Sequence, residues 1–385
     1  MAVWGAKERM KGTLRITAFP QARPWFTAGR QDWLNRFACL CGSGRAALYW
    51  GLRSLGLPAG TPAWMPSYHC GVEVDAAIHA GFDPKFYKVN ENLSIDEGDL
   101  SRRIERSPGP VLMVHYFGFP QPCLDRIAEL CRVSKCFLIE DCAHALFSSD
   151  ESGRETGTVA PMSIYSLRKT LPVVDGGALR VGGNLAIQPK LDAMAMDAYR
   201  VYLKNTIRGI AGQALTDTYR KLRWRDDGRA TYPSGTGDVF SHAYTRPLSS
   251  LSRIKAGSIS SSEVIDKRRE NYRRLHEALT GAPGYRPLWG NLPAGMCPLF
   301  LPVSVGRRDW LMKRMADGGV ETFRFGASSA HRVDGGEFRE TLSLRNQLLC
   351  LPIHQDLGVD EIKAIAGEFA RALAESERRT QVPTC

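Results

Sequence analysis

The sequence predicts an α/β protein, with a mostly parallel sheet sandwiched by helices and a smaller α+β domain at the C-terminal end. The clearest evidence is a strand–helix–strand unit: an apolar run at 111–114, apolar residues at helical spacing over 124–131, and a second apolar run at 137–139. Such a unit pairs its two strands in parallel through a right-handed crossover. Strands and helices alternate upstream at the same pace, which is typical of a doubly wound sheet.

The upstream elements follow from hydrophobic periodicity and from the residues that end each run. The pattern predicts a helix at 45–55, a strand at 62–65, a helix at 72–79 that ends before Gly81, and a strand at 86–89. Residues 162–165 form an apolar run, and residues 178–181 alternate after a glycine pair. Strands are therefore expected on both sides of the segment 166–177.

A second unit begins near Ser258. The pattern predicts helices at 264–279, 310–315 and 359–374, and strands at 300–305 and 348–352. We therefore predict a large domain over residues 1–250, with an N-terminal arm, and a small domain over residues 251–385. The stretch at about 188–240 is amphipathic and rich in arginine and lysine, so it is predicted to be a basic helical insert. Such an insert is either a solvated helical face or a surface that recognises an anionic substrate.

Composition limits the partners and the compartment. The chain has 385 residues and a formal net charge of +11. A basic surface suits nucleic acid, an anionic membrane or acidic small molecules. Because the charge is spread out and no DNA-reading motif is visible, we expect small anionic substrates and no nucleic acid. No run is long enough to span a membrane, and no secretory signal is apparent, so a cytoplasmic protein is expected. The ten cysteines lack the spacing of a zinc site and are expected to be reduced thiols.

Lys169 lies in the stretch around which the chain is organised, residues 161–179. A turn between two strands, beside Gly176 and Gly177, would hold an amine still and let the backbone approach closely. The functional interpretation is that Lys169 forms a Schiff base with a carbonyl cofactor, which requires a neutral amine near pH 7. The simpler interpretation is a surface lysine beside Arg168 in a hairpin.

Two other stretches favour the functional interpretation. The predicted strand before Asp141 ends where open α/β sheets bind ligands, so Asp141 could pair with a protonated ring nitrogen and make that ring an electron sink, as in pyridoxal phosphate enzymes. Three residues later, His144 could hydrogen-bond Asp141 or a ring oxygen. Ser43, Gly44 and Arg45 open a helix, where backbone N–H groups and the helix dipole bind phosphate.

Together these stretches resemble the DegT/DnrJ/EryC1/StrS family of fold-type-I pyridoxal-phosphate aminotransferases, often called sugar aminotransferases. The segments that carry the resemblance are SGRAAL at 43–48, IEDCAHA at 139–145, KTLPVVDGG at 169–177 and LCLPIHQDL at 349–357. The resemblance covers about residues 40–185 and 340–370.

The resemblance implies a cytoplasmic homodimer with the fold-type-I transferase fold and bound pyridoxal 5′-phosphate. Its implied activity moves an amino group from an amino acid, glutamate by resemblance, to a keto-sugar linked to a nucleotide, in polysaccharide or secondary-metabolite biosynthesis. Lys169 and Asp141 are its implied catalytic residues. One alternative is another pyridoxal-phosphate reaction on a sugar or amino acid, although family members that dehydrate sugars carry histidine at the lysine position. The other is a non-catalytic regulatory or binding protein of the same fold.

The chain departs from the family pattern at four places. Arg45 replaces the threonine of the phosphate loop. Ile164 occupies the position of the phosphate-binding serine, so one of its neighbours, Ser163 or Ser166, is expected to take that role. The aromatic ring that stacks on the cofactor is expected at Tyr68 or His69, with preference for His69. The asparagine that reaches a neighbouring subunit's phosphate is not evident, and its candidate substitutes are Thr245 and Arg246.

Overall fold

The computed structural model describes residues 9–10, 13–14, 16–21, 32–183, 187, 189–191, 244–326, 331 and 333–380. Apart from residues 189–191, the predicted basic insert at about 188–240 lies outside the described residues. Among the described residues, no helix combines the length and the apolar character needed to cross a bilayer.

The described strands are β1 (Arg9–Met10), β2 (Thr13–Leu14), β3 (Cys39–Cys41), β4 (Pro62–Pro66), β5 (Asp83–Tyr87), β6 (Val111–Val114), β7 (Leu138–Asp141), β8 (Met162–Ser166), β9 (Gly177–Val181), β10 (Phe300–Ser304) and β11 (Leu348–Pro352). A seven-stranded sheet forms the centre of the large unit, with strand order β3-β9-β8-β7-β6-β4-β5. Five neighbouring strands, from β8 to β5, pair in parallel, whereas β9 and β3 are antiparallel additions at one edge. This arrangement confirms the predicted α/β class with a mostly parallel sheet.

The helices begin and end at the residues that local chemistry favours. Ser43 caps the first helix through its hydroxyl, Asp96 and Ser260 cap two later ones, and Gly81 ends the second helix with a left-handed backbone (φ 97°). The described helices are α1 (Gly44–Ser54), α2 (Val72–Ala80), α3 (Glu97–Arg106), α4 (Leu124–Val133), α5 (Leu167–Thr170), α6 (Ser250–Gly257), α7 (Ser261–Leu279), α8 (Arg308–Asp317), α9 (Arg339–Gln347) and α10 (Val359–Thr380), with 3-10 turns at Asp32–Arg36 and Tyr116–Gly118.

Two predicted elements differ from the structure in an informative way. The strand predicted at 86–89 begins earlier, at Asp83, because it pairs with β4 from that residue onward, while Val89 pairs with Ile95 instead. The turn predicted around Lys169 is a single helical turn, α5, between β8 and β9.

The C-terminal unit has its own apolar core around the antiparallel pair β10 and β11, with side chains from α7, α8 and α10. Ile16 from the N-terminal arm joins this core and exchanges backbone hydrogen bonds with Gly319 and Glu321 at 2.8 Å. By contrast, Ala256 of α6 packs with Leu248 in the apolar cluster beside the large sheet. The predicted boundary at residue 250 stays a prediction.

Candidate active site

Lys169 is the third residue of α5, the short helix that begins directly after β8. Its Nζ is 3.0 Å from His144 Nε2, and its side chain is half-buried. A backbone hydrogen bond from the N–H of Leu171 to the carbonyl of Leu167, at 2.8 Å, closes the short helix. The lysine is therefore held inside the protein, which argues against the surface hairpin that was the simpler interpretation.

Asp141 is the last residue of β7, the strand next to β8, and its side chain is buried. Its Oδ1 accepts a hydrogen bond from the N–H of Ala143 at 2.8 Å. Burial raises the pKa of Asp141 to about 6, the charge of Lys169 acts to lower it, and the nearby Glu73 carboxylate raises it. Asp141 and the segment that carries Lys169 therefore lie at the carboxyl ends of two neighbouring parallel strands, where sheets of this kind bind ligands.

His144 lies beside Lys169 and has a defined tautomer. The backbone N–H of Phe117 donates to His144 Nδ1 at 3.3 Å, so in the neutral ring the proton lies on Nε2, which faces Lys169. Burial, and then the charge of Lys169, lower the pKa of His144 well below its ordinary range, so the neutral ring is favoured. Nε2 is the ring atom that contacts the lysine nitrogen, at 3.0 Å.

The imidazole is also held by aromatic neighbours. Phe117 stacks on His144 with ring centroids 5.4 Å apart and an interplanar angle of 11°, and Phe325 meets His144 edge-on at 5.2 Å. Phe117 adopts a left-handed backbone (φ 54°), which is uncommon for a residue other than glycine. This conformation presents its N–H to the imidazole.

The predicted phosphate loop sits against the lysine segment. Ser43 Oγ accepts from the N–H of Ala46 at 3.2 Å and so caps α1. A Cβ added to Gly44 would lie 3.2 Å from the carbonyl oxygen of Tyr165, and one added to Gly177 would lie 2.0 Å from the carbonyl carbon of Ser43. The glycines therefore allow a backbone approach that other residues would block, which brings the start of α1 to the end of β8.

The two candidate serines lie on opposite faces of β8. Ser163 Oγ donates to the carbonyl of Gly157 at 2.9 Å and lies 3.3 Å from the Tyr165 hydroxyl, on the face away from the loop. Ser166 lies next to Gly44, since the Cβ built on that glycine would be 3.4 Å from Ser166 Cβ. Of the two, the structure brings only Ser166 to the predicted phosphate loop.

Two arginines add positive charge beside this loop. Arg45 is the second residue of α1, and Arg168 directly precedes Lys169. Burial lowers the pKa of Arg168, and the charge of Arg45 lowers it further, so the two guanidinium groups are close enough to interact. Thr245 and Arg246 lie beside the loop of the same chain, where the Arg246 carbonyl accepts from the N–H of Gly42 at 2.7 Å.

Each of the two rings expected to stack on a cofactor has its own contacts with neighbouring protein groups. Tyr68 is fully buried and its hydroxyl donates to the carbonyl of Phe325 at 3.2 Å. His69 stacks on Phe86 with centroids 5.0 Å apart at 9°, and its Nε2 lies 3.3 Å from a nitrogen of Arg345. Burial lowers the pKa of His69 to about 4.

Cys70, which the sequence motifs did not single out, is held in this loop by Glu73. Its Sγ donates to Glu73 Oε2 at 2.7 Å, and its N–H donates to Glu73 Oε1 at 3.0 Å. Burial and the Glu73 carboxylate raise the pKa of Cys70, whereas the charge of Lys169 acts to lower it, which identifies Lys169 as a neighbour. Glu73 is itself buried. The only sequence signal for this pair was its position directly after the predicted ring-stacking segment.

Glu140 and His115 form a buried pair next to Asp141. His115 Nε2 donates to Glu140 Oε2 at 2.8 Å, since His115 Nδ1 accepts from the N–H of Gln121. Burial alone would raise the pKa of Glu140, but the hydrogen bonds from His115 and from backbone N–H groups outweigh it and lower the pKa. Cys142 brings a third ligand-type atom within 4.8 Å, yet both atoms of the His115–Glu140 contact are already committed to each other. We therefore interpret this cluster as structural.

The residues present fit pyridoxal 5′-phosphate. They provide an amine at Lys169, a carboxylate at Asp141 for the ring nitrogen, and an anion-binding turn at Ser43 and Gly44. The close approach at Gly177 brings that turn beside Ser166. These groups come from three segments of the chain and converge at one edge of the sheet.

Comparisons with known proteins agree with this geometry. Residues 31–190 match the model of the DegT/DnrJ/EryC1/StrS aminotransferase family. The GDP-perosamine synthase of Escherichia coli O157:H7 is 30% identical over 146 residues, which cover 37% of this chain and 39% of the relative. The dTDP-4-dehydro-2,3,6-trideoxy-D-glucose 4-aminotransferase of Saccharopolyspora spinosa is 26% identical over 345 residues, 86% of this chain and 83% of that one. The chain thus spans about two fifths of the length of the first of these relatives.

The fold is also that of solved aminotransferases. The crystal structure of the aminotransferase TlmJ from Streptoalloteichus hindustanus superposes with a TM-score of 0.63 at 23% identity, covering 88% of this chain and 86% of that chain. Over residues 31–190, therefore, the chain is similar to the DegT/DnrJ/EryC1/StrS aminotransferase family, in agreement with the resemblance that its motifs carry.

Proposed function

We propose that the protein is an aminotransferase that uses pyridoxal 5′-phosphate to transfer an amino group from an amino acid to a keto-sugar linked to a nucleotide. The observation that carries the proposal is the 3.0 Å contact between Lys169 Nζ and the neutral His144, beside the buried Asp141. The keto-sugar class is supported by the names of the relatives, a GDP-perosamine synthase and a dTDP-sugar 4-aminotransferase. Glutamate as amino donor comes from the family resemblance.

Each residue has a role that its surroundings support. Pyridoxal phosphate, when bound, supplies an aldehyde that bonds to amines and a ring that withdraws electrons from the neighbouring carbon. Lys169 would hold the aldehyde carbon, Asp141 would keep a proton on the ring nitrogen, and the turn at Ser43 and Gly44 would bind the phosphate together with Ser166.

Proton transfer would fall to Lys169. His144 Nε2, which lies 3.0 Å from the lysine nitrogen, would hold that nitrogen in place for this step. Arg45 and Arg168 add positive charge near the loop, which suits a phosphate group. Tyr68 and His69 stay the proposed contacts of the cofactor ring, and Cys70, which Glu73 holds in the same loop, is a further candidate.

We also propose a cytoplasmic homodimer. The nine cysteines among the described residues are free thiols, which suits a reducing compartment. The dimer comes from the family resemblance. Equilibrium ultracentrifugation across a range of protein concentrations tests it, and a single species with the mass of one chain would contradict it.

A spectroscopic experiment tests the activity. Purified protein with pyridoxal phosphate should develop visible absorbance, and borohydride should fix the cofactor covalently to Lys169, as read by peptide mass spectrometry. Lys169→Ala should lose both signals. Lys267→Ala is the matched control, because the side chain of that lysine on α7 is paired with Glu270. Glutamate should then bleach the absorbance, and a nucleotide-linked keto-sugar should restore it. A borohydride adduct on other lysines only, with full absorbance in Lys169→Ala, would overturn the proposal.

A further inference from the structure

The carbonyl of Thr170, the residue after Lys169, is held by two side chains from the C-terminal unit. Arg268 Nη2 donates to this oxygen at 3.0 Å, and Gln355 Nε2 donates to it at 2.9 Å. The two side chains also bond each other, from Arg268 Nε to Gln355 Oε1 at 2.8 Å. The three groups form a closed triangle, so that moving one requires breaking at least two hydrogen bonds.

Arg268 is an unusual residue to bury. Its side chain is 0% exposed on α7, and its Nη1 donates to the carbonyls of Pro298 and Leu299 at 3.1 Å each. Among the described residues, its hydrogen-bond acceptors are therefore three backbone carbonyls and one amide oxygen, none of which carries a formal charge. Burying a cation in this way is costly, and an apolar side chain would often serve stability as well or better. The arrangement suggests that the geometry it imposes on Thr170 has another use.

That use follows from the shortness of α5. A four-residue helix is not stable alone, because nucleation fixes several residues in place for few hydrogen bonds. The chain from Thr170 to Asp175, which follows Lys169, therefore depends on outside contacts at both of its ends. At Asp175, the carboxylate accepts from the hydroxyl of Ser249 at 2.9 Å and from its N–H at 3.2 Å. At Thr170, the contacts are the hydrogen bonds from the two side chains of the C-terminal unit.

We propose that Arg268 and Gln355 are positioning residues for Lys169, which fix the helical turn that carries the amine and tie its placement beside His144 to the C-terminal unit. The inference rests on the proposed function in one respect only, namely that Lys169 is the reacting amine. The two residues lie 98 and 185 positions away from Thr170 in the sequence, so the link exists only in the folded chain.

The first test uses the cofactor-free protein. Lys169 reactivity is measured with trinitrobenzenesulfonate, and modification of each lysine is followed by peptide mass spectrometry. Arg268→Met and Gln355→Leu should speed modification of Lys169 about fivefold, the population change expected when a hydrogen bond of ordinary strength is lost. Arg269→Met is the matched control. Arg269 lies on the same helix and also donates to two carbonyls, those of Pro293 at 2.7 Å and Met296 at 2.8 Å, but not to the lysine segment.

The second test uses pyridoxal phosphate. In Arg268→Met and Gln355→Leu, the pH midpoint of the visible absorbance and the rate of borohydride-fixed attachment to Lys169 should both change, whereas Arg269→Met should alter thermal stability alone. Arg268→Lys keeps the charge but loses the planar fork, so it should fall between wild type and Arg268→Met. If Arg268→Met does not fold, Gln355→Leu decides the question.

The result that would overturn the proposal is Lys169 reactivity, pH midpoint and attachment rate in Gln355→Leu that all match Arg269→Met. Failure of the proposed function has a different signature, because wild-type protein would then give no borohydride adduct at Lys169. The reagent test would still report whether the two residues position that lysine.

Discussion

Replacing Asp141 with asparagine is expected to stabilise the cofactor-free protein above about pH 6 while removing the carboxylate that we propose pairs with the ring nitrogen. The pKa of Asp141 is raised to about 6 from an ordinary value of 3.8, with burial as the main cause. The folded protein therefore holds this proton more tightly than the unfolded chain does. Stability falls as pH rises from about 4 to about 6, and the full penalty is present above that range.

The size of the effect follows from the two pKa values. At about 1.4 kcal/mol per pH unit, the difference amounts to about 3 kcal/mol near pH 7.5, and to about half of that at pH 5. Asparagine has nearly the same shape, and its Oδ1 can still accept from the N–H of Ala143. The variant should therefore gain stability over wild type as the pH rises.

Urea denaturation of both cofactor-free proteins at several pH values between 4 and 8 measures this difference. Glu140→Gln is the matched control of opposite sign, because the pKa of Glu140 is lowered by His115 and by backbone N–H groups. That variant should lose stability at neutral pH and lose less in acid. If the stability difference between Asp141→Asn and wild type does not change with pH, the carboxylate is not desolvated as described and the reasoning fails.

Three further predictions address the loop, the close approach and the thiol. Ser166→Ala should raise the Kd for pyridoxal phosphate by about tenfold, the loss expected for a hydrogen bond to a charged group, whereas Ser163→Ala should change thermal stability only; titration by absorbance reads both. Gly177→Ala should destabilise the protein by about 3 kcal/mol or more, because its Cβ would overlap the backbone of the phosphate loop, and urea denaturation measures the change. Glu73→Gln should speed alkylation of Cys70 by iodoacetamide about tenfold, because the Glu73 carboxylate raises the pKa of the thiol, and mass spectrometry follows the rate.

Each of these predictions has a control and an outcome that contradicts it. Equal cofactor affinity in the two serine variants would show that Ser166 does not hold the phosphate. Gly182→Ala should be harmless, because the nearest atom to its Cβ would lie 3.8 Å away, so an equal loss in both glycine variants would argue against the overlap. An unchanged or slower Cys70 alkylation in Glu73→Gln would mean that the carboxylate does not control the thiol.

The parts of the site that sequence could predict are those encoded in short local patterns. Asp141 and Lys169 were identifiable because each follows an apolar strand, and parallel strands place their ends together. Ser43 was identifiable because a serine before a helix is a common cap. The alternation of side chains along a strand could also have separated Ser163 from Ser166, since residues three apart point to opposite faces.

The parts that could not be predicted depend on side-chain direction in irregular segments and on contacts distant in sequence. Tyr68 and His69 follow the end of β4, where no periodicity fixes which ring turns inward. Arg268 reaches Thr170 from a helix in another unit, and no local pattern marks that contact. Cys70 belongs to no motif, because its contact with Glu73 forms only where its loop enters α2.

The left-handed backbone at Phe117 has a consequence for how the site tolerates mutation. A side chain in this conformation costs about 1–2 kcal/mol relative to an ordinary helix or strand. What it secures is a main-chain donor to His144, and every amino acid except proline has that donor. Substitution at position 117 can therefore weaken the aromatic stack on the imidazole, yet it leaves unchanged which ring nitrogen holds the hydrogen. The tautomer of the imidazole that contacts the lysine is therefore insensitive to most substitutions of the residue whose main chain sets it.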